Sequence, residues 1–287
     1  MNQPLAYIHP GAKIEKKVVV EPFTTINNDV EIGEGTWIGS NVTIMEGARI
    51  GKNCSIFPGS VISGIPQDLK FENEDSLAVI GDNTTIRECV TINRGTAERG
   101  RTKIGDNCLI MAYSHIAHDC IVGNHCIFSN GSTLAGHIDI GNHVILAGLV
   151  AIHQFCTVGD YAFIAGGSLV RKDVPPYVKA AREPLSYAGI NSIGLRRKGF
   201  ETEKIHEIQN IYRIIFQSKY NYSQAADIIE ADLKATPERD EILQFLNLHN
   251  IYVNSTSDSE LILNIFYYFI EKKYACLTNE NIINSVL

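Results

Sequence analysis

The fold is decided by residues 104–170, which read IGDNCL IMAYSH IAHDCI VGNHCI FSNGST LAGHID IGNHVI LAGLVA IHQFCT VGDYAF IAGGSL V. Every hexapeptide begins with an aliphatic residue or Phe. The same spacing extends back to Ile8 and fails only at Asp68, Glu74 and Glu98. A six-residue period fits neither a helix nor a simple alternating strand, and it is typical of a parallel β-helix with stacked coils. Because the phase survives both interruptions, we expect loops at 63–79 and 93–103 on an otherwise continuous all-β prism.

Two other positions of the hexapeptide support this interpretation. Glycine often follows the aliphatic residue, as at Gly105 and Gly123, and we predict that it serves corners with unusual backbone dihedrals. The position four residues after the aliphatic one is mostly small, and a free cysteine there behaves as a small hydrophobe. We therefore predict structural thiols in a reducing compartment for the five cysteines in that position, which are Cys54, Cys108, Cys120, Cys126 and Cys156.

Beyond Val174 the period stops and helical signals begin. Helix starts are indicated at Thr202, at Ser223 and at Thr236-Pro237. We predict a left-handed β-helix over 1–174, a small α-helical C-terminal domain over 175–255, and a tail over 256–287 with no assigned role. The longest apolar run, 261–270, is half of the roughly 20 residues that a membrane span needs. With no signal-like segment before the repeat, we expect a soluble, cytoplasmic protein.

Charge is unevenly distributed. The chain carries a net charge of −7, but residues 171–219 hold ten Lys/Arg against five acids, a net of +5, so the remainder sums to −12. An acidic chain argues against nucleic acid as a partner. The local basic patch suits an anionic substrate or an acidic protein partner.

Four histidines are expected to share one edge of the prism. Three hexapeptides make a coil of 18 residues, so residues 18 apart stack about 4.8 Å from each other. This register places His118 beside Gly136. The other histidines of the group are His115 on the same coil and His137 and His153 on the next two.

Two chemistries can use such a group. Neutral imidazoles on adjacent coils bind zinc in the gamma-type carbonic anhydrases. Alternatively, one histidine acts as a general base that a neighbouring carboxylate orients. Asp119 directly follows His118, and the spacing from His118 to His137 to His153 is uneven. Both observations favour the general base.

Six motifs give a family resemblance that covers about residues 1–250. The chain resembles the acyl-(acyl-carrier-protein)–UDP-N-acetylglucosamine O-acyltransferases, the hexapeptide-repeat enzymes that start lipid A synthesis, in IPQDLK (65–70), MAYSHIAHDC (111–120), LAGH (134–137), AIHQFC (151–156), KDVPPY (172–177) and NSIGLRRKGF (191–200). The resemblance implies a left-handed β-helix and a homotrimer with active sites between neighbouring prisms. It also implies transfer of a 3-hydroxyacyl chain from acyl carrier protein, docked on the basic region 171–219, to the glucosamine 3-hydroxyl of UDP-N-acetylglucosamine. For such a transfer the resemblance implies no metal and no cofactor.

The same resemblance implies roles for individual residues. His118 would be the general base, Asp119 would hold its ring, and the Gly136 N–H would face the oxyanion. Gly166 occupies the position that sets acyl length, and a glycine there implies an open groove and a donor of about 14 carbons or more. The residues implied in substrate binding are Asp68, Lys70, His115, His137, His153, Gln154, Asn191 and Arg197.

The sequence departs from the family pattern at Ile193, where relatives often carry Glu, and at Tyr113-Ser114, where Asn-Ala is common. Other functions stay open at this stage. The later N-acyltransferase of the pathway would need a uridine-binding domain before the prism, whereas the repeat here begins at Ile8. A CoA-dependent sugar-nucleotide acetyltransferase would not use acyl carrier protein. A zinc-dependent hydratase would hold stoichiometric metal, and a non-catalytic scaffold would bind neither nucleotide nor acyl donor.

Overall fold

A computed structural model describes residues 4–248, and within them short strands form the three faces of a left-handed β-helix. The first sheet contains Tyr7–Ile8, Thr25–Ile26, Thr43–Ile44, Val61–Gly64, Thr91–Asn93, His115–Ile116, Thr133–Leu134, Ala151–Ile152 and Leu169–Val170. The second contains Lys13–Ile14, Glu31–Ile32, Ala48–Ile50, Leu77–Ile80, Arg101–Ile104, Ile121–Val122, Asp139–Ile140 and Thr157–Val158. The third contains Val19–Val20, Trp37–Ile38, Ser55–Ile56, Thr85–Ile86, Leu109–Ile110, Ile127–Phe128, Ile145–Leu146, Phe163–Ile164, Val178–Ala181 and Ser186–Ile190.

The coils stack with the predicted period of three hexapeptides. Thr133 pairs in parallel with Ala151, and Leu134 pairs with Ile152. Successive residues of a strand face opposite sides, so one residue of each short strand points into the prism. Leu134 is fully buried, whereas its neighbour Thr133 is exposed. One aliphatic side chain per hexapeptide thus fills the narrow core, and each full burial contributes about 1.5–3 kcal/mol.

The predicted reason for the corner glycines is wrong. Gly123 does not adopt a left-handed conformation, and a Cβ added to it would lie 2.6 Å from the carbonyl oxygen of Gly141 on the next coil. The left-handed backbone occurs two positions later instead, at His125 with a φ of 58° and, one coil earlier, at Asn107 with a φ of 56°. Glycine is therefore required by the close approach of stacked coils. The left-handed conformation at the corner is adopted instead by Asn or His two positions later.

Two loops leave the prism without breaking it. Ile62 pairs with Ile92, and Ile92 in turn pairs with Ile116. The first of these coils is therefore longer than the usual coil by two hexapeptides and the second by one, which preserves the phase of the repeat. The loops span 65–76 and 94–100, which is narrower than predicted because strand pairing continues at both ends of each insertion.

The third sheet extends past the predicted end of the β-helix. The strand Val178–Ala181 pairs in parallel with the preceding coil, with Phe163 opposite Lys179, and Ser186–Ile190 then turns back in antiparallel pairing. The hexapeptide phase does not anticipate this hairpin, because the pairing of Phe163 with Lys179 falls short of the usual spacing. The predicted domain boundary at 174/175 therefore lies before the last two strands of the sheet.

Four helices follow, α1 (Ser192–Arg197), α2 (Thr202–Gln217), α3 (Tyr222–Asp232) and α4 (Pro237–Leu248). The predicted start at Pro237 is confirmed. The cap of α2 is Glu201, and the predicted cap Thr202 is instead the first helical residue. Helix α3 begins one residue before the predicted Ser223, because Asn221 and Gln224 form a capping box. None of the helices that the structure describes is both long and apolar enough to cross a membrane.

The five cysteines placed in the small position are buried, as predicted, whereas Cys89 is exposed. The predicted tail at 256–287 lies outside the described residues.

Candidate active site

The candidate site is built on one corner of the prism, repeated on consecutive coils. His118 and Asp119 follow the strand His115–Ile116, and Asp119 takes the left-handed corner conformation with a φ of 60°. His137 occupies the same corner one coil on, with its ring centroid 5.0 Å from that of His118, and Phe155 stacks on His137 at 4.9 Å. The register of the coils thus brings His118 and His137 together, as expected from the sequence.

His118 and Asp119 form a hydrogen-bonded pair. The His118 Nδ1 atom lies 2.9 Å from Asp119 Oδ2, and the two side chains are 6% and 0% exposed. An ionised carboxylate only accepts, so Nδ1 carries the hydrogen and donates it. The neutral ring then keeps its lone pair on Nε2. This is the tautomer that a general base needs at Nε2.

The Asp119 carboxylate is held by further donors. The Thr96 hydroxyl donates to Oδ2 at 2.7 Å, and the Thr96 N–H lies 3.0 Å from Oδ1. Burial raises the pKa of Asp119, but the hydrogen bonds from His118 and Thr96 outweigh burial and leave this pKa below its ordinary value. The carboxylate is therefore ionised at neutral pH and accepts from His118.

Gly136 lies directly against the His118 ring. A Cβ added to Gly136 would be 2.6 Å from His118 Cε1 and 2.7 Å from Nε2, so any side chain there would push this imidazole out of its place. The Gly136 carbonyl accepts from the Phe155 N–H at 3.3 Å, but within residues 4–248 the Gly136 N–H donates to no acceptor. The site therefore combines a base with a free backbone donor one coil away.

Three further predicted site residues, His115, His153 and Gln154, lie in different environments. His115 Nδ1 contacts the Thr91 hydroxyl at 2.7 Å, and burial, with a smaller contribution from the charge of His118, lowers the pKa of His115. His153 and Gln154 are exposed on a later coil, where His153 Nδ1 lies 3.2 Å from the Gln154 carbonyl oxygen.

His137 is 5% exposed, and its Nδ1 has no hydrogen-bond partner among the described residues. Its Nε2 lies 3.6 Å from Glu98 Oε2 and 3.8 Å from Asp119 Oδ2. His118, Asp119 and His137 each offer one atom within a 4.8 Å cluster that a metal ion could use. The carboxylate, however, is already occupied by hydrogen-bond donors, and a metal at Oδ2 would displace them. The contacts therefore favour acid–base chemistry over metal binding.

The remaining predicted residues make no hydrogen bond or ion pair with the His118–Asp119 pair within residues 4–248. Asp68 accepts from the Lys70 N–H at 3.0 Å in the first loop, and the Lys70 side chain is exposed. Arg197 is exposed in the last turn of α1, and Gly166 is exposed on a late coil.

Asn191 already has two partners inside the chain. Its Oδ1 caps α1 by accepting from the Gly194 N–H at 3.2 Å, and its Nδ2 donates to the Tyr161 carbonyl at 2.9 Å. A contact to nucleotide stays a prediction for this residue, but its amide also holds α1 to the last coils of the prism.

Sequence reasoning missed Thr96, Glu98 and Arg99, all on the second loop. Arg99 donates to the Asp119 carbonyl at 3.1 Å and forms a bidentate pair with Asp139. The loop lies where the hexapeptide phase fails, so spacing carries no signal for what these side chains contact.

Three family models match parts of the chain. Residues 173–251 match the second domain of UDP-N-acetylglucosamine O-acyltransferases, residues 101–136 match the bacterial transferase hexapeptide of six repeats, and residues 2–99 match the GMPPB C-terminal domain.

Similar proteins extend these matches over most of the chain. The acyl-(acyl-carrier-protein)–UDP-N-acetylglucosamine O-acyltransferase of Chlorobium phaeobacteroides is 60% identical over 84% of this chain and 92% of its own length. The relative of the same name from Thermodesulfovibrio yellowstonii is 44% identical over 84% and 94%.

Solved structures agree in fold. The UDP-N-acetylglucosamine acyltransferase from Bacteroides fragilis matches at 50% identity with a TM-score of 0.87, covering 89% of this chain and all of its own. The enzyme from Francisella novicida matches at 39% identity with a TM-score of 0.84, covering 87% and 92%. This chain belongs to the acyl-(acyl-carrier-protein)–UDP-N-acetylglucosamine O-acyltransferase family.

Proposed function

We propose that this protein transfers a 3-hydroxyacyl chain from an acyl carrier protein thioester to the glucosamine 3-hydroxyl of UDP-N-acetylglucosamine, as the first step of lipid A biosynthesis. The observation that carries the proposal is the buried His118–Asp119 pair with the Gly136 backbone against its imidazole. Family membership supports the substrates, and the site geometry supports the chemistry.

In this mechanism His118 Nε2 takes the proton of the 3-hydroxyl as its oxygen attacks the thioester carbonyl. A hydroxyl is a weak nucleophile until a base accepts its proton, and a positioned base typically contributes 10²–10⁴-fold. Asp119 holds the ring and stabilises the imidazolium that forms. His118 then returns the proton to the departing thiolate of acyl carrier protein, which restores the neutral base.

The Gly136 N–H is proposed to stabilise the tetrahedral oxyanion. It lies beside the base, it is free of acceptors within the described chain, and the missing side chain lets a thioester approach. A backbone donor of this type is worth about 3–4 kcal/mol in the transition state.

Substrate binding is proposed for residues around this centre. Asp68 and Lys70 are on the first loop, where Asp68 is half-buried and Lys70 is exposed, and there they can meet sugar hydroxyls and phosphate. Arg197 can bind the pyrophosphate through its planar fork. His115, His137, His153, Gln154 and Asn191 complete the proposed set for the acetamido sugar, the nucleotide and the acyl donor.

We further propose a homotrimer and docking of acyl carrier protein on the basic region 171–219. Arg196, Arg197 and Lys198 are exposed there, and none of them forms an ion pair within the described residues. In contrast, Lys204 is already paired with Glu207 and Glu238. The first three cations are therefore the better candidates for an acidic partner.

The proposal is tested by mass spectrometry of the products formed from UDP-N-acetylglucosamine and 3-hydroxyacyl carrier proteins of several lengths. His118→Ala should lower the rate of monoacylated product by 10² or more. His125→Ala is the matched control, because His125 is an exposed corner histidine that stacks on His143 away from the proposed site. Wild-type protein without product would refute the proposed activity, and product from CoA donors or stoichiometric zinc would favour the alternative functions. Full activity in His118→Ala would refute the choice of base.

A further inference from the structure

Besides His118, Thr96 is the residue that donates hydrogen bonds to the Asp119 carboxylate within the described chain. Its hydroxyl lies 2.7 Å from Oδ2, and its N–H lies 3.0 Å from Oδ1 and 3.2 Å from Oδ2. Thr96 is 8% exposed and Asp119 is fully buried, so water does not compete for these hydrogen bonds. A buried carboxylate accepting several bonds loses its freedom to rotate.

The loop 94–100 holds Thr96 in place through bonds on either side of it. The Gly95 N–H donates to the Leu77 carbonyl at 3.1 Å, and the Ser76 hydroxyl donates to the Gly95 carbonyl at 2.6 Å. The Ala97 N–H donates to Glu74 Oε1 at 2.9 Å. All three bonds involve the end of the first loop or the strand that follows it, so the contact to Asp119 is preorganised by the fold.

We propose that Thr96 is a positioning residue for the His118–Asp119 pair, a role that rests on the proposed function. Its two donors fix the carboxylate so that Oδ2 stays directed at His118 Nδ1. They also withdraw negative charge from the carboxylate. The carboxylate then still orients the His118 ring and stabilises the imidazolium formed during transfer. Because its charge is partly withdrawn, the imidazolium can still release its proton to the leaving thiolate.

The other charged groups around the pair do not occupy the same position. His137 Nε2 lies 3.8 Å from Oδ2, and Glu98 lies 3.6 Å from His137. Arg99 contacts the Asp119 carbonyl, not its carboxylate, and its charge is paired with Asp139. Within residues 4–248, His118 and Thr96 are therefore the only hydrogen-bond donors to this carboxylate.

Thr96→Val tests the proposal, with Thr96→Ser as the conservative rescue. The matched control is Thr102→Val, because Thr102 is also buried but its hydroxyl accepts from the Asp119 N–H at 2.9 Å instead of contacting the carboxylate. We expect kcat of Thr96→Val to fall about 10-fold, the effect of one lost hydrogen bond to a charged group, with KM for UDP-N-acetylglucosamine little changed.

The pH profile separates positioning from folding. Without the Thr96 donor the carboxylate attracts the protonated imidazole more strongly, so the acidic limb of the kcat profile should move to higher pH. Thr96→Ser should restore it, and Thr102→Val should leave it unmoved even if its melting temperature falls. The proposal would be overturned if Thr96→Val kept the wild-type kcat and the wild-type acidic limb of its pH profile. It would also be overturned if Thr102→Val moved that limb by the same amount as Thr96→Val.

A second measurement does not need turnover. Nitrogen-15 histidine NMR of the full chain should show the His118 titration midpoint moving up in Thr96→Val and not in Thr102→Val. If the wild type makes no acylated product, the proposed function fails, and this titration still decides whether Thr96 acts on the pair. An unchanged midpoint would overturn the positioning role alone.

Discussion

Gly136 approaches the His118 imidazole so closely that a Cβ on it would lie 2.6 Å from Cε1. A contact of this length forces the ring to move, because the Gly136 backbone is fixed by the stacked coils on both sides. The position of the base therefore depends on the absence of a side chain on the neighbouring coil. Two features of the proposed chemistry, the orientation of His118 and the access to the Gly136 N–H, share this one requirement.

Gly136→Ala should abolish most activity while the prism still folds. We expect kcat to fall by 10² or more, because both ring position and oxyanion access are lost. Gly148→Ala is the control for the fold, since it occupies the same hexapeptide position and its Cβ would meet nothing closer than the Asn130 carbonyl at 3.6 Å. Steady-state kinetics and melting temperature of both variants check the prediction, and an active Gly136→Ala would contradict it.

Asp119→Asn should lower kcat by about 10²–10⁴-fold, because an amide can present its N–H to the ring and favour the wrong tautomer. KM should change much less, since Asp119 is buried behind His118. Single-turnover kinetics at saturating substrate would measure the loss, and a loss confined to KM would contradict the assigned role.

Acid sensitivity should also change in Asp119→Asn. The folded-state pKa of Asp119 is below its ordinary value of 3.8, so its carboxylate contributes stability that is complete above that value and is lost as pH falls through the lowered pKa. Urea unfolding of both proteins should therefore show a wild-type advantage at neutral pH that shrinks as pH falls below 3.8. An advantage that grows on acidification would contradict the lowered pKa.

Residues on the hexapeptide phase were predictable, whereas residues on the loops were not. The period of three hexapeptides per coil alone places His118 beside Gly136, because stacking register follows from spacing. No period fixes Thr96, since its loop begins where the phase is lost. The capping role of Asn191 is a local signal in Asn-Ser-Ile-Gly, but its bond to the Tyr161 carbonyl depends on the last coils and could not be foreseen.

A ladder of side chains along one corner should stabilise the coils. Asn124 Oδ1 accepts from the Asp106 N–H at 2.8 Å, and the Asn124 N–H in turn donates to Asn142 Oδ1 at 2.9 Å. Asn124→Ala should lower the free energy of unfolding by about 1 kcal/mol, the usual net value of such a bond. Asn130→Ala is the control, because Asn130 holds the same hexapeptide position without a side-chain hydrogen bond among the described residues. Urea unfolding at one protein concentration compares the two variants. Equal losses of unfolding free energy in Asn124→Ala and Asn130→Ala would show that the ladder does not stabilise the coils.

Gly166→Met should shorten the preferred acyl donor. Gly166 is exposed, and a Cβ there would meet the Gly148 carbonyl at 3.1 Å, so a long side chain must point outward into the proposed groove. We expect the preference to move from about 14 carbons or more toward about 10, because a blocked groove rejects each extra methylene. Competition between acyl carrier proteins of mixed length, read by mass spectrometry, tests this, and a wild-type preference for ten-carbon chains would contradict the open groove.

Glu241 should make the contact between α4 and the prism sensitive to pH. Burial raises the pKa of Glu241, the charges of Asp160 and Glu238 raise it further, and the Tyr177 hydroxyl, which donates to Glu241, only partly opposes them. Because the folded-state pKa is raised, the stability of the protonated form is fully present below the ordinary value of 4.5 and is lost as pH rises through the raised pKa.

Glu241→Gln keeps an acceptor for Tyr177 and removes the charge, so it should raise the melting temperature near neutral pH and have little effect below pH 4.5. Glu230→Gln, on the exposed face of α3, should change neither. Tyr177→Phe should act in the opposite direction to Glu241→Gln, because it leaves the carboxylate buried without its donor. A melting temperature of Glu241→Gln that falls at neutral pH would mean that the ionised carboxylate stabilises this contact, contrary to the direction of its pKa.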